Sequence, residues 1–114
     1  MSYVVTPFEV SAQAAPGAVQ VRFMHLLSGI ATRHSDTMDC IFRLNGQRVC
    51  VSISCPALTE LREREGKYLT DQQLAEIAAL FLRRALEHAY DPTQAEMVID
   101  GAALRKLGRE LGYL

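Results

Sequence analysis

Apolar and polar positions alternate most regularly between residues 38 and 54, and Asn45-Gly46 interrupts the alternation at its centre. Both residues tolerate positive φ, which a two-residue type I′ hairpin turn requires. Pairing across that turn places Met38, Cys40, Phe42 and Leu44 on one face with Val49, Val51 and Ile53. The other face carries Arg43 opposite Arg48 and Asp39 opposite Ser52. A one-residue slip would turn the whole apolar set to water, so the register is well determined.

The remaining pattern arranges itself around this hairpin. Val19, Val21 and Phe23 alternate with Gln20, Arg22 and Met24, which predicts a half-buried strand. The polar stretch 28–37, with Gly29 in it, connects that strand to the hairpin. Upstream, residues 1–17 read as an irregular arm with one short strand at 3–6, and 18–114 as a single domain. Pro56 opens a short helix that Gly66 stops, because proline is tolerated in a first turn where no intrahelical donor is needed. Thr70 and Gln73 have capping-box spacing and start the main helix, which Asp91-Pro92 ends after Tyr90. Glu96 to Ile99 reads as a last strand, and Asp100 caps a helix over 101–111 with Leu104, Leu107 and Leu111 on one face. The predicted fold is a two-layer α+β domain: an antiparallel sheet of three to four strands with the Asn-Gly hairpin at its centre and the long helix packed on one face.

The main helix is unusually apolar. Leu74, Ala75, Ile77, Ala78, Ala79, Phe81, Leu82, Ala85, Leu86, Ala89 and Tyr90 form one sector that also takes in His88. That sector is much wider than the ~100° stripe of a helix lying on one surface. The sheet covers one side; the other needs the leucine face of the C-terminal helix or a second copy of the chain. A two-fold homodimer is therefore expected, with Leu104, Leu107 and Leu111 as candidate interface residues.

The run from Cys40 through Asn45-Gly46 and Ile53-Ser54 to Ala57-Leu58 resembles a small bacterial family, domain of unknown function 1488. Its members combine an aromatic strand, an Asn-Gly-type turn, a strand ending Ile-Ser and a helix opening Ala-Leu, followed by a longer helix and a terminal strand. The resemblance covers residues 38–99 and implies a small α+β fold; it implies no catalytic residues. The N-terminal arm and C-terminal helix depart from it.

Length and composition change the picture little. One domain of 114 residues with 49% hydrophobic and 22% charged residues can bury a core without disulfides or metal. The net charge of −1 excludes a global field toward nucleic acid or acidic membranes. It is unevenly spread: residues 1–55 carry +1, 56–100 carry −4 and 101–114 carry +2. The apolar run from Ile77 to Leu82 is too short to cross a bilayer. Three cysteines without framework spacing, two of them on opposite hairpin faces, point to reduced thiols and a cytoplasmic address.

Candidate chemistry is sparse. Cys55 stands at a helix start, where unpaired N–H groups favour a thiolate, and is the candidate reactive thiol; the plain alternative is a small hydrophobe closing a strand. His25, His34 and His88 match no metal-ligand spacing, and no cofactor fingerprint, phosphate loop or nucleophile elbow is present, so neither metal nor cofactor is expected. Arg43 and Arg48 are like charges placed opposite each other, an arrangement that invites an anionic partner unless Asp39 or a nearby glutamate satisfies them. The sequence thus favours a protein–protein interaction or accessory module. A nucleic-acid-binding accessory protein using Arg43 and Arg48 is the alternative, and a thiol-dependent enzyme is third.

Overall fold

A computed structural model describes residues 5–11, 18–30, 34–88 and 97–114. Its strands are β1 (Phe8–Ser11), β2 (Ala18–Ser28), β3 (Thr37–Leu44), β4 (Gln47–Ser54) and β5 (Met97–Ile99). Its helices are α1 (Cys55–Glu65), α2 (Asp71–Glu87) and α3 (Gly101–Glu110). The architecture is α+β, and the sheet has five strands in the order β1-β2-β3-β4-β5, more than the three to four expected.

The hairpin forms with the predicted turn and register. Asn45 and Gly46 both have positive φ, 49° and 88°, and Thr37 to Leu44 pair with Ser54 to Gln47 without a slip. Phe42 faces the core, where its ring meets that of Phe23 edge-on at 5.4 Å. That contact is the type of aromatic pair that adds to simple area burial.

Three features of the sheet correct the sequence reading. The first lies in the arm: residues 8–11 form β1 and pair antiparallel with β2, so the segment is not irregular throughout. Of the strand expected at 3–6, residues 3 and 4 lie outside the described residues, as does the linker at 12–17. Second, β2 runs on to Ser28, and its register to β3 shifts between Phe23 and His25. Met24 is the extra residue of this bulge, which inverts the alternation: Val19, Val21 and Phe23 point inward before it and Leu26 after it. Third, β5 is parallel to β4, not antiparallel. The two intervening helices make a long crossover, the kind of connection that brings a strand back parallel to its neighbour.

The helices begin and end where their caps dictate. Ser54 caps α1 by accepting from the Ala57 amide at 3.3 Å, and Gly66 ends it in the left-handed conformation. Thr70 and Gln73 exchange both capping-box bonds, 3.1 and 2.9 Å long. Thr70→Ala removes both the cap acceptor and the pre-organised first turn, and is expected to cost about 1 kcal/mol in urea unfolding. Asp100 caps α3 through the Ala103 amide at 2.9 Å. The sequence placed the end of the main helix at Tyr90; the described helix ends at Glu87 with His88 as its cap, and residues 89–96 lie outside the described set.

One core joins sheet and helices. Phe42, Val51 and Ile53 from the hairpin meet Ile77, Leu82 and Leu86 of α2, together with Leu61, Ile99 and Leu104. The second surface needed by α2 is supplied within the chain: α3 folds back with Leu104 and Leu107 buried. Arg105 ties α3 to α1 by donating to Glu65 at 3.0 Å, and Arg84 of α2 pairs with Glu110 at the far end of α3. No helix is long and apolar enough to span a membrane among the described residues.

Candidate functional site

Each strand of the central sheet sends alternate residues away from the helices, and the chemistry of that outer face changes along the strands. At the end nearest the Asn-Gly turn, Arg43 pairs with Arg48 across β3 and β4, as the sequence placed them. The structure adds a third arginine, because Arg22 of β2 is the register partner of Arg43 on its other side. Arg22, Arg43 and Arg48 therefore form one row across three adjacent strands, all exposed. Arg43 donates to the Gly46 carbonyl at 2.7 Å, which draws its guanidinium toward the turn at the end of the hairpin.

None of these arginines forms an ion pair among the described residues. The carboxylate proposed to satisfy them is engaged elsewhere. Asp39 lies four residues along β3 from Arg43, is 2% exposed, and accepts from Thr37 Oγ1 at 2.8 Å and Ser52 Oγ at 2.9 Å. Glu9, near the Arg22 end of the row, accepts instead from the side chain of Gln20. Like charges directly opposite one another across strands are destabilising. The fold carries two such pairs in a row, a cost that an anionic partner would offset.

Away from the turn the face closes. Ile41, flanked in register by His25 and Cys50, is buried although it belongs to the side opposite the helices. Beyond it the Thr37–Asp39–Ser52 cluster is also buried, with Cys50 Sγ 3.6 Å from Ser52 Oγ. Ser52 gives its proton to the Asp39 carboxylate and is shielded from solvent, so it lacks the accessibility that nucleophilic catalysis needs. Apolar atoms reach the surface at Met24, 38% exposed at the β2 bulge, and at Val98, 49% exposed on β5.

Cys55 lies at the first residue of α1, beside a groove of about 310 Å³ that Met38, Leu58, Arg62, Tyr68 and Asp71 also line. Its environment opposes a thiolate. Burial raises the thiol above its ordinary range, and the neighbouring Asp36 carboxylate raises it further by charge and hydrogen bond. Among the described residues no histidine lines the groove to act as a base. Desolvation and a like-signed neighbour thus act against the thiolate stabilisation that a helix start offers. Cys40, Cys50 and Cys55 all remain thiols.

Leu104 and Leu107 belong to the core of their own chain and Leu111 is half-buried against it. Their apolar face is thus the one that covers α2 within the same chain, the first of the two covers the sequence offers. His88 is exposed at the end of α2, where it lines a groove with Phe81, Ala85 and Leu107. His25 lies on the outer sheet face and His34 between β2 and β3; among the described residues no three His, Cys, Asp or Glu side chains gather as metal ligands would.

A scan against protein-family models and searches of curated proteins and of solved structures find no match to this chain.

Proposed function

We propose that the protein is a binding module that holds an acidic segment of another protein against the outer face of its sheet. The observation that carries this reading is the row Arg22–Arg43–Arg48, exposed and without an ion pair among the described residues. Arginine is the residue type suited to the task, since its planar fork binds carboxylates bidentately and sheds water more readily than lysine. The row is flanked by Met24, and arginine and methionine are both enriched in protein interfaces.

A protein partner is favoured over nucleic acid by what surrounds the row. Three contacts are few for a phosphate backbone, the chain is net −1, and the face exposes no aromatic ring among its described residues on which bases could stack. The test is a titration of a fluorescent glutamate-rich peptide, and of single-stranded and duplex oligonucleotides, at about 50 and 200 mM salt. The peptide is expected to bind in a salt-sensitive manner and more tightly than either oligonucleotide. Tighter oligonucleotide binding that disappears in Arg43→Glu/Arg48→Glu would replace this reading with the nucleic-acid one.

A further inference from the structure

Resting on that reading, we infer that the bound acidic segment is an α-helix lying across the strands, along the arginine row, with its carboxylates at positions i, i+4 and i+7. The spacing of the row supplies the first argument. Arg43 and Arg48 are one step from a two-residue turn, which makes them a non-hydrogen-bonded pair with Cα atoms about 4.5 Å apart. The Asn45 amide donates to the Gln20 carbonyl at 3.0 Å, so two residues further on Arg22 and Arg43 form a hydrogen-bonded pair, about 5.5 Å apart. Three arginines thus span about 10 Å. A helix rises about 10.5 Å from i to i+7, and side chains three and four apart on its surface stand about 5–6 Å from one another. An extended segment places successive same-face residues about 6.7 Å apart, so three of its carboxylates cover about 13 Å.

The position of the row in the sheet supplies the second argument. Peptides that bind as strands do so at a sheet edge, where the ladder pairs their backbone. Strands β2 and β3 each have neighbours on both sides, so the row lies over the interior of the sheet. An extended segment laid there would leave its own N–H and C=O groups unpaired by the protein. A helix brings its backbone bonds with it. Met24, next to Arg22 on β2, then offers an apolar contact beside the charged stripe.

Two synthetic peptides of identical composition test this, one with glutamates at i, i+4 and i+7 and one with glutamates at every second position. A third carries a central proline in the first sequence. Binding is read by fluorescence anisotropy, and helicity by circular dichroism of the mixture minus its components. The helically spaced peptide is expected to bind about tenfold more tightly than the alternating one, to gain helicity on binding, and to lose its advantage with the proline. Equal binding by all three peptides would overturn the helical inference while leaving the acidic-partner reading in place. Binding by none of them to the folded protein would overturn both.

Discussion

Leu104→Asp is expected to leave the chain largely unfolded at neutral pH, although Leu104 belongs to a helix near the C-terminus and far from the hairpin in sequence. Its side chain is fully buried between the helical layer and the sheet, in contact with the cluster that includes Ile77, Leu82 and Ile99. The substitution removes a buried leucine, worth about 2–5 kcal/mol when truncated, and adds the cost of placing a carboxylate where nothing pairs with it. Together these approach the whole stability of a domain this size, about 5–15 kcal/mol. Ala102→Asp, two residues earlier on the exposed side of α3, introduces the same charge in the first turn of the helix and is expected to change stability by less than about 0.5 kcal/mol. Circular dichroism and urea unfolding of the two variants decide the point. Native-like stability of Leu104→Asp would mean that α3 does not serve as the second cover of α2.

The second large effect is a loss of stability in alkali. Burial, followed by the proximity of Cys50 and Asp39, pushes the Cys40 thiol from 9.0 up to about 12. Above pH 9 the unfolded chain releases this proton while the folded chain keeps it. The unfolded state then binds fewer protons, so stability falls as pH rises. The contribution is fully present below about pH 9 and is lost through about pH 12 at roughly 1.4 kcal/mol per pH unit, up to about 4 kcal/mol. Cys40→Ala is expected to be less stable at neutral pH, by about 1–2 kcal/mol for the small cavity it opens, but to show a shallower decline between pH 8.5 and 10.5. Urea midpoints of the two proteins across that interval measure the difference. Parallel declines would show that Cys40 ionises as readily folded as unfolded.

Local chemistry made most of the fold legible in the sequence. The Asn45-Gly46 turn and the alternation on each side of it determine every pair of the hairpin, and Ser54, Thr70, Gln73 and Asp100 mark helix starts through bonds that need no tertiary partner. The misreadings are all non-local. Residues 8–11 offer only Phe8 and Val10 as inward positions, too few to distinguish a strand from coil until β2 is there to pair with them. The bulge at Met24 cannot be read from β2 alone, because it exists only as a mismatch with β3. The direction of β5 depends on where the α1–α2 crossover returns, and the choice of α3 as a cover for α2 on how that last helix folds back.

The candidate site divides along the same line. Arg43 and Arg48 are paired by a turn two residues long and were visible as opposed charges. The outward phase of Arg22 was equally visible from Val21 and Phe23. Its place beside Arg43 was not, since that required the β2–β3 register. Cys55 divides in the same way: the helix start is local and legible, whereas Asp36, which opposes the thiolate, comes from the segment before β3.

If Arg22, Arg43 and Arg48 act together as the binding surface, the salt dependence of acidic-peptide binding in two triple variants shows it. One is Arg22→Gln/Arg43→Gln/Arg48→Gln, which clears the row. The other is Arg62→Gln/Arg64→Gln/Lys67→Gln, which removes as much positive charge from α1 and the residues just after it. The first variant, still folded by circular dichroism, is expected to lose both the binding and its salt sensitivity, while the second binds within about twofold of the unaltered protein. Equal losses in both variants, or unaltered binding in the first, would contradict it.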